Sequence, residues 1–309
     1  MRIAIAGGTG FIGRELTRQL LAEERHDVVW LSRSPGRAAP PVREVHFDHT
    51  DPEGAWATEV AAADAIINLS GHPIASRWNP AVERALYESR VGVNRAIVGI
   101  LREAVAAQPG RPRVLLCASG IGIYGDRGDD VLDESTRPGD DFLGRLAAEW
   151  EASASVAREF GVRVACVRTG LVLGEEGLIP RLALPMRFFV GGPVGLRRQW
   201  TGWIHLTDIA GVYRHALESH ELHGPINAVA PGPVTMRDLS AALGRALQRP
   251  SWLPVPGFAL SIVLGKVGRY MLFSQRPVPV ALQASGYSYR FPDIDDAMTD
   301  AVARLRAAS

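Results

Sequence analysis

The sequence predicts an α/β protein: a doubly wound parallel sheet with a smaller C-terminal α+β lobe. Three observations lead there. Short apolar runs alternate with segments of helical period over the first 170 residues, the pattern of strands buried on both faces by crossover helices. A glycine-rich loop, Gly7 to Gly13, joins the first such run to the first helix. From about residue 170 the texture shifts to short elements between Gly/Pro-rich connections, such as Gly191-Gly192-Pro193 and Ala230-Pro231-Gly232-Pro233.

The first strand, Arg2 to Ala6, runs into Gly7-Gly8-Thr9-Gly10-Phe11-Ile12-Gly13 and an amphipathic helix marked by Leu16, Leu20 and Leu21. Gly7 permits a tight turn, Gly10 lets the main chain approach an anion, and Gly13 lets the helix lie close on the sheet. The helix N-terminus adds unpaired N–H groups and a positive dipole end. In this setting the loop predicts a Rossmann-like site in which Gly7, Thr9, Gly10, Phe11, Ile12 and Gly13 hold a dinucleotide. The second strand, Val28 to Leu31, ends in Ser32-Arg33, twenty residues beyond Gly13. An acidic residue there accepts from the ribose 2′-hydroxyl of NAD, whereas a basic one pairs with the 2′-phosphate of NADP. Arg33, with Ser32 beside it and Arg37 one helical turn on, points to NADP. The ordinary alternative is a solvated loop arginine in an arginine-rich chain.

A short third strand at Val42 to Phe47 leads to Asp48, and Asp64 to Leu69 reads as the fourth. A long helix follows from Pro80, a residue suited to a first helical turn, to Ala107. Val114 to Ala118 is the fifth strand, Asp141 to Phe160 a second long helix stopped by Gly161, and Val162 to Val167 the sixth strand. Further helices are expected at Thr207 to Ser219, Thr235 to Leu247 and Asp293 to Ala307. The division that results is residues 1–170 for the nucleotide-binding domain, with returning segments from 203–230. Residues 171–309, including a C-terminal helical segment 249–309, form the substrate lobe. That lobe is placed to close over the strand C-termini, where open α/β sheets bind ligands.

Composition narrows the function. A chain of 309 residues with 47% hydrophobic and 22% charged residues suits a globular enzyme. A net charge of +1 supplies no basic field to draw nucleic acid or an anionic membrane. The longest apolar stretch, around Phe258 to Leu264, is too short to span a bilayer. The two cysteines, Cys117 and Cys166, each lie in an apolar strand, as reduced core thiols do. With no signal-peptide pattern before the first strand, a cytoplasmic protein is expected. The histidines are scattered and the cysteines lack ligand spacing, so no metal site is expected. No Gly-x-Ser-x-Gly elbow or Walker Gly-Lys-Ser/Thr is present, which removes the hydrolase and NTPase readings. Lys266 is the only lysine, so no mechanism can use a lysine from the first half.

Several motifs resemble the extended short-chain dehydrogenase/reductases of the NAD-dependent epimerase family. They are the glycine loop, Asp64 to Gly71, Ser119-Gly120-Ile121-Gly122-Ile123-Tyr124-Gly125 and Trp203-Ile204-His205-Leu206-Thr207-Asp208. More closely, the chain resembles the atypical, cell-division-inhibitor-like or 39U type and its C-terminal domain. Asn68 to Ile74, Trp150-Glu151 and Pro277 to Pro292 carry that likeness. The resemblance implies NADP(H) contacts at the glycine loop, at Ser32-Arg33, at Asn68, Leu69, Ser70 and Gly71, and at Ala118. It also implies the dyad Tyr-x-x-x-Lys on the helix beginning near Asp141, a tyrosine acting as acid/base beside a lysine. This helix offers Phe142 and Leu146, or Asp141 and Arg145 in the other register; the dyad is missing.

Three residues remain for acid/base work. Ser119 lies near the position of the family's serine, although the strict equivalent is open between it and Gly120. Tyr124 either faces the nicotinamide or caps its loop with a structural hydrogen bond. His72 either enters the pocket, as a residue type suited to acid/base work, or is merely a solvated loop histidine. His205 beside Asp208 matches a structural motif at the lobe junction. Trp150-Glu151 reads as helix–lobe packing before substrate binding. Arg77-Trp78 either clamps an anionic or planar substrate or covers the sheet edge. Two functions stay open: an NADP(H)-dependent oxidoreductase or epimerase-like enzyme acting on a small molecule, and a non-catalytic NADP(H)-binding sensor or scaffold. A homodimer through the two long helices is compatible with the sequence, which does not require it.

Overall fold

The computed structural model describes residues 1–22, 25–74, 77–111, 113–193, 195, 198–254 and 266–308. Seven strands form the central sheet: β1 Arg2–Ala6, β2 Asp27–Ser32, β3 Arg43–His46, β4 Ala65–Asn68, β5 Val114–Gly120, β6 Arg163–Thr169 and β7 Gly224–Ala228. All pair in parallel, in the spatial order β3-β2-β1-β4-β5-β6-β7. The doubly wound α/β architecture expected from the alternating runs is therefore present. The order reverses between β1 and β4, and such a switch point opens a crevice at the strand C-termini. The glycine loop leaves β1 at that crevice.

The helices are α1 Phe11–Leu21, α2 Ala55–Ala62, α3 Pro80–Tyr87, α4 Val93–Ala107, α5 Phe142–Ser155, α6 Ile179–Arg187, α7 Leu206–Glu218, α8 Met236–Leu247, α9 Lys266–Tyr270, α10 Val280–Ala284 and α11 Ile294–Ala307. Alternate residues of each strand feed opposite faces. Ile3, Ile5, Ile67 and Leu116 pack with Leu16 and Leu20 of α1 and Ile209 and Tyr213 of α7. Ala4, Val29, Ile66 and Leu115 pack on the other face with Trp56 of α2 and Ile97 and Leu101 of α4. Cys117 and Cys166 are free thiols buried on that second face. A third core joins Leu173, Met186 of α6, Leu239 and Leu243 of α8, and Met298 and Val302 of α11.

Three local readings change. The helix expected from Pro80 to Ala107 is interrupted by a π-helical turn, Glu88–Gly92, between α3 and α4. Such a turn inserts a residue without ending the helix, so hydrophobic periodicity does not reveal it. The second long helix is α-helical only to Ser155 and continues as a 3-10 turn, Val156–Phe160, before Gly161 at φ 85°. Strand β7 lies inside the returning segment that the sequence left without a strand. The apolar stretch Phe258 to Leu264 lies outside the described residues. Among the described residues, no helix is long and apolar enough to cross a membrane.

Candidate functional site

At the switch point, Gly7 sits at φ 84°, where a Cβ would meet the carbonyl carbon of Leu69 at 2.9 Å. A Cβ on Gly13 would come within 2.7 Å of the Gly8 Cα, so only glycine lets α1 lie this close to the loop. The N-cap of α1, Gly10, brings no side-chain hydrogen bond. The N–H groups of the first turn are thus left for a ligand. The loop fits a pyrophosphate by geometry as well as by sequence.

A cavity of about 700 Å³ opens over this loop. Of the residues singled out from the sequence, Gly7, Thr9, Gly10, Ser32, Arg33, Arg37, Leu69, Ser70, Gly71 and His72 line it. The sequence reading missed Phe47 and Asp48, which line the same cavity just after β3. The signal was available: Asp48 follows its strand much as Arg33 follows the one beside it. Glu88 and Ser89 of the π turn also line the cavity, and no sequence signal marked them.

Other expected cofactor residues lie off the cavity. Phe11 and Ile12 pack their side chains against the sheet core, leaving only their backbone for a phosphate. Gly13 is buried beneath the loop. Asn68 is fully buried; its amide donates to Asn94 Oδ1 at 2.8 Å, and its Oδ1 accepts from the Ser70 amide at 3.0 Å. It braces the Leu69–Gly71 loop from behind. Ala118 packs with Trp78, Leu146 and Trp150 instead.

The arginine end of the cavity is built on a carboxylate. Glu44 Oε2 accepts from the backbone N–H groups of Gly36, Arg37 and Ala38 at 2.8, 2.8 and 2.9 Å. Burial pushes this carboxyl upward, but those donors and Ser32 outweigh it and hold it below the usual carboxylate range. The Glu44 contacts shape the loop while Arg33 stays exposed, with no carboxylate partner among the described residues.

Two of the three acid/base candidates are placed elsewhere. Tyr124 is fully buried. Its hydroxyl lies 2.6 Å from Asn227 Oδ1 and 3.0 Å from the Asp133 carbonyl, and it accepts from Arg168 Nη1 at 3.0 Å. Burial raises its pKa against the pull of Arg168, and Tyr124 does not line the cavity, the placement of a structural hydrogen bond. Ser119 is also buried and donates to Glu151 Oε1 at 2.7 Å. Arg168 grips the same Glu151 carboxylate with Nε at 2.8 Å and Nη2 at 2.9 Å. Ser119 reaches Glu151 of α5 and does not line the cavity. Only His72 lines the cavity.

Helix α5 contains neither tyrosine nor lysine. Phe142 packs edge-on against Trp78 with ring centroids 5.1 Å apart, and Tyr270 lies 5.2 Å from Trp78. Leu146 and Trp150 join this apolar cluster, while Arg77 is exposed beside it. Arg90, on the π turn, stacks over the Trp150 ring at 5.1 Å. Arg90 is 7% exposed and forms no ion pair among the described residues. Its donors reach only neutral oxygens: the His72 carbonyl at 3.1 Å, the Leu86 carbonyl at 3.3 Å and Ser89 Oγ at 3.4 Å. Burial lowers its pKa to about 10.

His205 caps α7, its Nδ1 accepting from the Thr207 N–H at 3.1 Å, and its Nε2 lies 3.0 Å from Asp300 of α11. Asp208 accepts from the N–H groups of Arg290 and Phe291 at 2.7 and 2.9 Å. Both residues fasten the C-terminal segment to the sheet.

A glycine cradle at the switch point of a doubly wound parallel sheet defines a Rossmann-like class of fold. Residues 3–229 match the NAD dependent epimerase/dehydratase family, and residues 255–301 match a Domain of unknown function (DUF1731). The chain belongs to the NAD dependent epimerase/dehydratase family. It is 36% identical over 301 residues to "Epimerase family protein SDR39U1 homolog, chloroplastic" of Arabidopsis thaliana, covering 96% of this chain and 86% of that one. It is 34% identical to "Epimerase family protein YfhF" of Bacillus subtilis (strain 168), covering 98% of each. The crystal structure of human epimerase family protein SDR39U1 (isoform 2) with NADPH superposes with a TM-score of 0.83 at 32% identity, over 99% of this chain and 100% of that one.

Proposed function

We propose that the protein is an NADP(H)-binding short-chain dehydrogenase/reductase of atypical type, an oxidoreductase or epimerase-like enzyme working without a Tyr-x-x-x-Lys dyad. The observation that carries this reading is Arg33, exposed at the cavity edge with no carboxylate partner among the described residues. The relative crystallised with NADPH supports it. The cofactor rests on residues 1–170, and residues 171–309 close the substrate side. His72, which lines the cavity, is the group placed to exchange the proton that accompanies hydride transfer. Titration with NADPH and NADH, followed by NADPH oxidation against a panel of carbonyl compounds, tests both halves. Equal affinity for the two cofactors refutes the NADP assignment, and turnover unaffected by His72→Ala refutes the proton assignment.

A second reading, cofactor binding without turnover, is favoured by one observation: Tyr124 and Ser119 are both committed to buried hydrogen bonds. Failure of every carbonyl to oxidise NADPH selects it. A cytoplasmic location accords with the two buried free thiols. Pairing of two copies across α4 and α5 accords with a groove of about 450 Å³ there, where Gly99, Ala152 and Ser153 allow close approach. Light scattering on the eluting protein distinguishes a dimer from a monomer.

A further inference from the structure

The buried Arg90 has no role in the reading above. Desolvating a guanidinium without a counter-ion is costly, and three hydrogen bonds of 3.1–3.4 Å to neutral oxygens are weak compensation. Bracing the His72 carbonyl does not require a full charge. A second unmet group lies against it. The indole Nε1–H of Trp150, a residue 8% exposed, has no hydrogen-bond partner among the described residues, although Arg90 covers the face of the same ring. A buried indole donor without an acceptor, beside a guanidinium without a counter-ion, calls for an explanation, and an acceptor arriving from outside supplies one for both.

The approach is visible. Gly71 lines the large cavity and is exposed. A Cβ on it would lie 3.3 Å from the Arg90 Cζ, so only a glycine separates the guanidinium from the cavity. The π turn that carries Arg90 puts Glu88 and Ser89 on the cavity wall. Beside the two donors stands the aromatic cluster of Trp78, Phe142 and Tyr270. Cation and indole donor together suit a carboxylate, which offers an oxygen to each, and the rings suit a flat apolar body.

We propose that Arg90 and Trp150 form an anion-binding subsite, and that the substrate is a carboxylate with a planar apolar body resting against Trp78, Phe142 and Tyr270. The proposal deepens the enzymatic reading and rests on it for the word substrate; the binding itself is tested apart from turnover. The probes are 2-naphthoate and its neutral analogue 2-naphthamide, titrated by tryptophan fluorescence into protein saturated with NADPH. The expected result is at least tenfold tighter binding of the acid. In Arg90→Met the preference falls to about onefold, and in Trp150→Phe it narrows about threefold. Equal binding of acid and amide by the parent protein overturns the proposal, as does failure of the acid to bind at about 10 mM.

Two further measurements separate rival roles. If Arg90 serves the cofactor phosphates instead, Arg90→Met weakens NADPH at least tenfold, and the substrate subsite is refuted while NADPH binding stands. If Arg90 is only a brace, the ligand-free Arg90→Met protein melts more than about 5 °C lower, which also refutes it. The subsite predicts an unchanged or higher Tm, because removing an uncompensated buried charge relieves the fold.

Discussion

Arg33 and Tyr124 look alike in the sequence, each a polar group just beyond a strand, yet the structure gives them opposite surroundings. Arg33 is exposed at the cavity, so its guanidinium is free for a 2′-phosphate. A charge-assisted contact of that kind is worth roughly 1.5–3 kcal/mol, or about tenfold to a hundredfold in affinity. Arg33→Ala is expected to erase most of the preference for NADPH over NADH, as read by paired titrations. Tyr124→Phe is expected to act on stability instead. It strips a partner from buried Arg168 and Asn227, at about 1–3 kcal/mol. Urea unfolding should show that loss while NADPH affinity stays within about twofold. Intact stability together with a large fall in turnover would return Tyr124 to the chemistry. The sequence misled here because the partners that commit the Ser119 and Tyr124 hydroxyls, Glu151, Arg168 and Asn227, lie far along the chain. The motif Ser119 to Gly125 can be placed from the sequence, but those partners cannot.

At the scale of elements, strand and helix identities were readable wherever apolar periodicity was strong. The glycine loop was readable because its spacing is dictated by close backbone contact. That contact supplies a prediction. Gly13→Ala drives a Cβ into the Gly8 backbone, and overpacking of this kind costs about 1–3 kcal/mol. Because the strain lies in the phosphate loop, the variant is expected to lose both stability and NADPH affinity. A variant with wild-type melting and wild-type NADPH binding would mean that α1 shifts freely. The π turn Glu88–Gly92 escaped the sequence reading for the opposite reason. Its inserted residue keeps the apolar stripe nearly in phase, and it betrays itself only through the charged residue it forces inward. The cavity wall at Glu88 and Ser89 was hidden with it.

Over the whole molecule, the third core and the sheet are held together through His205 and Asp208. Burial outweighs Asp300 and holds the His205 imidazole down to about 4, while Arg304 opposes and Glu15 assists its protonation. The folded value lies below the ordinary 6.5, so the neutral form favours the fold above pH 6.5. That contribution is lost as the pH falls from 6.5 towards 4, because the unfolded chain takes up the proton first. Linkage sets the loss at roughly 3 kcal/mol. Urea midpoints between pH 7 and pH 4 should therefore decline, and His205→Asn, which keeps an acceptor for Thr207, should flatten that part of the decline. Identical declines in both proteins would assign it to other groups. The sequence showed His205 and Asp208 as a motif. Their partners, Asp300 and the Arg290-Phe291 backbone, lie about ninety residues away and carry no local signal.

Strand β7 is reached only after the chain has crossed into the second lobe and returned, and it completes the sheet by pairing with β6. No cut before Gly224 therefore releases the seven-stranded sheet intact. A fragment ending near residue 170 would leave β6, buried over Val164–Val167 in the full chain, as a naked apolar margin. Its unpaired N–H and C=O groups would invite other chains to dock there. A nonsense or frameshift lesion anywhere before Gly224 is then expected to yield insoluble, aggregating product instead of a smaller working binder, making the two lobes one heritable unit.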